Sequence, residues 1–252
     1  MSTVWQEFAQ LKSHKWVELS HELYQDSPAW SGFPEGSIEL NKTAIDWGEC
    51  EGMEFKIYTQ KFVGQFGTHI DVPAHFHRDG RTLGTFGIKD LCMPMVVIDV
   101  SAKVKENMDY ELKMSDIEEF EAKYGKIPEG CFAAMRTDWC KRWPSEADMT
   151  MDDGTGQEHY PGWTMDTLKF LVEERNVAAI GHEPFDTAAA VGSAAAGDIQ
   201  CERYILGTDR FQIEVMDNLD QVPATGAVLF VAMPRIVEAN GMPVRAWAVL
   251  PD

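Results

Sequence analysis

The chain has little positive charge. Its 22 Lys and Arg stand against 41 Asp and Glu, a formal net charge of −19. A surface of that sign argues against nucleic acid and anionic membrane as partners, because both are polyanions. No run of residues is long and apolar enough to cross a bilayer. The start, Met1-Ser2-Thr3-Val4-Trp5-Gln6, lacks the basic residues and apolar run of a secretory leader. The five cysteines (Cys50, Cys92, Cys131, Cys140 and Cys201) contain no C-x-x-C pair. Their odd number and scatter suit reduced thiols, so a cytoplasmic location is expected. Internal repeats and low-complexity tracts are absent too.

What is present reads as one globular enzyme-sized domain over residues 1–252, with 44% hydrophobic and 25% charged residues. Apolar residues at Val4, Trp5, Phe8 and Leu11 have the spacing of an amphipathic helix. Val17 to Ser20 reads as a short strand, and Asp26 to Pro34 as an aromatic loop punctuated by Pro and Gly. Trp30 and Phe33 in that loop are either buried anchors or a lid. Strands are expected over 53–63, 93–100, 131–139, 177–180 and 211–216, with a closing pair at 227–233 and 244–250. Gly241-Met242-Pro243 reads as the turn into the last of these. Helices are expected from Ser115, as a capping box with Glu118, to Gly125; from Thr164 to Arg175; and from Asp198 to Leu206. Alternating strands and helices make a mixed α/β fold. Residues 141–162 read as a polar excursion that shapes a pocket rim, with His159 solvated; His21 has a structural position.

The chemistry concentrates between Gln65 and His77. Only seven histidines occur in the chain, yet His69, His75 and His77 fall here with Asp71. In an extended segment His69, Asp71, Pro73, His75 and His77 share one face. Imidazole with carboxylate is a ligand set for zinc, manganese or iron. His69 and Asp71 can grip one ion, with His75 further along as a proton carrier. A plain polar strand is the alternative on spacing alone. His182 and Glu183, delivered by a later strand, are further candidate ligands.

The segment resembles the signature H-x-G-T-H-x-D-x-P-x-H of the cyclase family of metal-dependent hydrolases, which includes kynurenine formamidases and isatin hydrolases. It matches at Gly67, Thr68, His69, Asp71, Pro73 and His75, and departs at Gln65. Leu19-Ser20-His21-Glu22-Leu23 is similar to the family's L-S-H-x-L, and Arg136-Thr137-Asp138-Trp139 to its R-T-x-W. The C-terminal ligand block falls on Glu202 and Glu214, where Glu202 replaces a usual histidine.

The resemblance implies a β-barrel-like core with flanking helices, a swivelling fold assembled as a homodimer or homotetramer. It implies one firmly held divalent ion on His69, Asp71 and Glu214. Gln65 and Glu202 stand where the family's second metal has imidazoles, and an oxygen-rich second site on them is the alternative. Oxygen donors mildly favour Mn²⁺ over Zn²⁺. His75 is implied as the base, with Trp30, Phe33 and His77 as substrate contacts. The implied reaction is hydrolysis of a small, aromatic amide, lactam or lactone, of isatin or formylkynurenine type. A lyase on the same scaffold and a non-catalytic small-molecule binder are the competing readings.

Overall fold

The structure, a computed structural model, describes residues 2–252. The chain opens with helix α1 (Val4–Ser13), capped by Thr3, whose hydroxyl accepts from the Gln6 backbone N–H. None of its residues is buried. Strand β1 (Trp16–Glu18) follows, then a hairpin of β2 (Glu39–Ile45) and β3 (Ile57–Lys61). The expected strand over 53–63 is therefore β3. It pairs only with the polar β2, which periodicity did not show, and it stands apart from the main sheet.

The core strands come next: β4 (His69–Asp71), β5 (Cys92–Asp99), β6 (Phe132–Arg136), β7 (Ala179–His182) and β8 (Phe211–Glu214). Three more complete the set: β9 (Ala227–Ala232), β10 (Gly241–Pro243) and β11 (Arg245–Val249). Among the described residues they form, with β1, a curled nine-stranded half-barrel in the order β1-β11-β9-β5-β6-β7-β8-β4-β10. The central β5, β6, β7 and β8 are parallel and the flanks antiparallel. Parallel strands need both faces covered, and residues of β5 alternate accordingly. Met95 and Val97 join Phe132, Phe211 and Leu229 in one apolar core. Val96 and Ile98 join a second one with Ile117, Leu168 and Ile205 from the helices.

Those helices are α2 (Ser101–Glu106), α3 (Met114–Tyr124), α4 (Glu146–Thr150), α5 (Met165–Lys169), α6 (Ala190–Ala196) and α7 (Gln200–Gly207). Three differ from expectation at an end. The N-cap of α3 is Lys113, whose backbone N–H donates to Asp116 at 2.6 Å, so Ser115 lies inside the helix. Helix α5, capped by Thr164, passes into a π-helical turn at Phe170–Glu174. Asp198 pairs with Arg203 instead of capping α7, whose N-cap is Ile199. The small-residue stretch after Ala188 forms α6, which has too few large apolar residues to show a period.

Candidate active site

The site is built on β4, a three-residue strand between β8 and β10. Register places His69 opposite Glu214 and Asp71 opposite Gln212. Period-two alternation sends Ile70 and Ile213 into the apolar core and leaves these four polar side chains on the other face. On the far side, Gly241 pairs with Asp71 and Pro243 with His69. Gly241-Met242-Pro243, expected as a turn, is thus the edge strand β10. Proline is tolerated there because the strand has only one neighbour.

His69 Nδ1 lies 2.8 Å from the Gly67 carbonyl. A carbonyl only accepts, so this nitrogen carries a proton, and Nε2 is the position left for a second proton or a cation. Nε2 sits 3.2 Å from Asp71 Oδ2 and 3.4 Å from Glu214 Oε2. All three side chains are buried. Neither His69 Nε2 nor Asp71 Oδ2 has a hydrogen-bond partner among the described residues. A buried polar atom left so costs about 1–3 kcal/mol, and a cation between these donors removes that cost. Burial alone pulls the His69 imidazole down, but Asp71 and Glu214 outweigh it and hold it well above its ordinary value. The two acids demand positive charge at this point. The donor set of one imidazole and two carboxylates fits a divalent ion.

Beyond it, Asp71, His75 and Glu202 bring one donor atom each within 4.8 Å of one another, as do Asp186, Glu202 and Glu214. Burial, joined by the charges of Glu214, Asp71 and Asp186, holds the Glu202 carboxyl well above the usual range. Asp186 is pushed up to about 7, by burial first and Glu214 second. Asp186 stands in the Phe185-Asp186-Thr187 turn, a segment that resembles the family's G-x-D-T turn near the pocket and that lines the cavity here, although the sequence assigns Asp186 itself no role.

The shared face expected from His69 to His77 ends at Val72. Pro73–His75 forms a 3-10 turn, because proline at its first position fixes φ and removes a donor. His75 still reaches the cavity, with Nε2 3.9 Å from Glu202 Oε1 and Nδ1 3.4 Å from the Asn240 amide. His77 is not brought there: its Nε2 lies 2.9 Å from the Arg203 carbonyl, outside the cavity wall. Gln65 donates to Asp71 Oδ1 at 2.9 Å. His182 and Glu183 do not line the cavity. His182 stands behind Glu214, and Glu183 accepts from the Thr137 and Trp139 backbone N–H groups, both at 2.9 Å, tying down the end of β6. His21 stacks on Trp143 and its backbone N–H donates to Thr68 Oγ1 at 2.9 Å. His159, expected solvated, is held by Asp109 at 2.9 Å.

The cavity above the centre measures about 460 Å³. Trp30 and Phe33 line it, their rings edge to face with centroids 5.4 Å apart. Phe76, Tyr160 and Phe185 add aromatic wall, and Glu146 and Glu158 come from the 141–162 excursion. Val215, the residue after Glu214, has φ +54°, a conformation that β-branched residues rarely adopt. Its carbonyl accepts from Thr68 Oγ1 at 2.6 Å, so the two residues flanking His69 and Glu214 are bolted together.

A buried set of one imidazole and two carboxylates, donors that suit a divalent ion, lies at the floor of an aromatic cavity. The chain belongs to the family described as putative cyclase, whose profile matches residues 17–189. It is 33% identical to an isatin hydrolase of Roseibium aggregatum over 190 residues, 73% of this chain and 71% of the relative. It is 31% identical to a kynurenine formamidase of Bacillus anthracis over 91 residues, 36% of this chain and 41% of that one. The structure of isatin hydrolase A from Labrenzia aggregata bound to benzyl benzoate superposes with a TM-score of 0.89 at 32% identity, covering all of both chains. No helix of the described residues is long and apolar enough to cross a membrane.

Proposed function

We propose that this enzyme hydrolyses the C–N bond of a small aromatic amide or lactam of isatin or formylkynurenine type, using one Mn²⁺ or Zn²⁺ on His69, Asp71 and Glu214. The observation that carries the reading is the pair of buried, partnerless atoms, His69 Nε2 and Asp71 Oδ2, beneath an aromatic cavity. When bound there, a divalent ion supplies Lewis-acid polarisation of a carbonyl and acidifies water. His75 faces the same space and takes the proton of the attacking water, then returns it to the leaving nitrogen. Trp30, Phe33 and Phe76 offer ring faces to an aromatic guest and exclude bulk water. Gln65 orients Asp71. The same reading takes the enzyme as a cytoplasmic homodimer or homotetramer. The apolar side of α1, where Trp5 is 86% exposed, supports assembly.

The proximity of Asp71, His75 and Glu202 favours a second reading, in which His75 ligates a second ion. The deciding experiment is the cation-to-protein ratio and element identity on untagged protein purified without chelator, followed by a lactam and formamide panel. One ion per chain with turnover supports the first reading. Two per chain transfer His75 to the ligands, and no uptake even from added Mn²⁺ or Zn²⁺ overturns both.

A further inference from the structure

Each acid of the centre has one oxygen tied back and the other left free. Asp71 Oδ1 accepts from Gln65, leaving Oδ2 toward His69. Glu214 Oε1 accepts from Gln212 Nε2 at 2.8 Å and lies 3.3 Å from His182 Nε2, leaving Oε2 toward His69. Gln212 does more than this. Its second Nε2 contact is Glu202 Oε1 at 3.0 Å, so one amide group bridges two carboxylates from different elements, β8 and α7.

The amide is not free to turn. Thr187 Oγ1 donates to Gln212 Oε1 at 2.7 Å, which fixes the NH₂ end toward the acids. Gln212, Thr187 and His182 are fully buried, and Gln212 stands below the cavity floor, touching no substrate space. Two buried carboxylates this close repel, and nothing else in the described hydrogen-bond network joins them.

We propose that Gln212 is a positioning residue: held by Thr187, it bridges Glu214 Oε1 and Glu202 Oε1 so that Glu214 offers Oε2 to the cation beside His69. The inference rests on the cation reading of the site above. A carboxylate fixed from behind loses less freedom on ligation, and loss of such support costs roughly 10- to 100-fold in metal affinity.

The test is calorimetric titration of MnCl₂ into the chelator-stripped full chain, with the melting temperature of the stripped protein and the kcat and KM of the loaded one. Gln212→Met keeps length and removes both donors; it is expected to weaken Mn²⁺ binding roughly 10- to 100-fold. Thr187→Val leaves the amide unanchored and is expected to weaken it in the same direction by less. Both effects fall on cation affinity and kcat with KM close to wild type, and stripped Gln212→Met, which leaves buried atoms of Glu214, Glu202 and Thr187 unpaired, also melts lower. Unchanged Mn²⁺ affinity in both variants, or a lowered melting temperature as the sole effect, overturns the clamp. If Gln212→Met does not fold, Thr187→Val decides alone. Failure of the wild-type chain to take up Mn²⁺ overturns the cation reading itself, a result distinct from unchanged variants.

Discussion

His69 and Glu214 face each other across the β4–β8 pair, ring nitrogen to carboxylate oxygen at 3.4 Å, and no hydrogen bond of His69 Nε2 joins them. The gap is closed by a proton or by a cation, and the Gly67 carbonyl, by holding the proton at Nδ1, prepares the ring for the cation. His69→Ala is therefore expected to lose the ion and with it turnover, a drop of at least roughly 100-fold. Elemental analysis and rate measurement on the same sample check it; a variant that keeps both removes His69 from the centre.

His75 separates from the ligands in the single-ion reading. His75→Ala is expected to retain the ion and to slow turnover by roughly 10²–10⁴. Loss of part of the bound metal instead assigns His75 to a second ion with Asp71 and Glu202.

Gly241 packs directly on the Asp71 side of the centre. A Cβ there would overlap Gln65 Nε2 and stand 2.9 Å from Asp71 Oδ1. Gly241→Ala is expected to displace the Gln65 amide and to weaken Mn²⁺ binding by roughly 10- to 100-fold, as measured by titration against a chelator. An unaltered affinity would show that Gln65 does not hold Asp71 in place.

Glu183 supplies a pH dependence away from the centre. Burial pushes its carboxyl up to about 7, against the donors from Thr137 and Trp139, so the folded state keeps a proton that the unfolded chain releases near 4.5. The contribution to stability is full below the unfolded value and is lost as pH rises through about 7. Holding the proton across that window is worth on the order of 3 kcal/mol. Urea midpoints across this window are expected to fall with pH in the wild type and less steeply in Glu183→Gln. Equal slopes would mean that Glu183 is ionised throughout.

How much of this was legible depends on locality. His69 and Asp71 were readable because β4 is extended and its two-residue period shows in the sequence. The period failed at Pro73, where the chain turns, and with it His77 left the expected face. Strand β10 looked like a turn because Gly and Pro describe turns and edge strands equally well. Glu214 and Glu202 came from resemblance, since nothing in residues 202–214 alone marks a ligand. Gln212 was invisible for a different reason. Its role exists only where the register of β8 brings it under α7, and an isolated glutamine in an apolar run carries no chemical signal.

Trp30 was left open between an anchor and a lid, and the structure gives the means to choose. It is 69% exposed while lining the cavity, so burial of its ring does little to hold the loop. Its edge-to-face partner Phe33 lines the same space. An aromatic contact is worth about 0.5–1.5 kcal/mol beyond area burial, which converts to a KM rise of roughly 2- to 13-fold for Trp30→Ala on an aromatic substrate. The melting temperature is expected to stay near wild type, because little buried apolar surface is lost. Steady-state kinetics on an aromatic and an aliphatic amide, with a thermal melt of the same variant, separate the two roles. A lid raises KM for the aromatic substrate alone; an anchor lowers the melting temperature and treats both substrates alike.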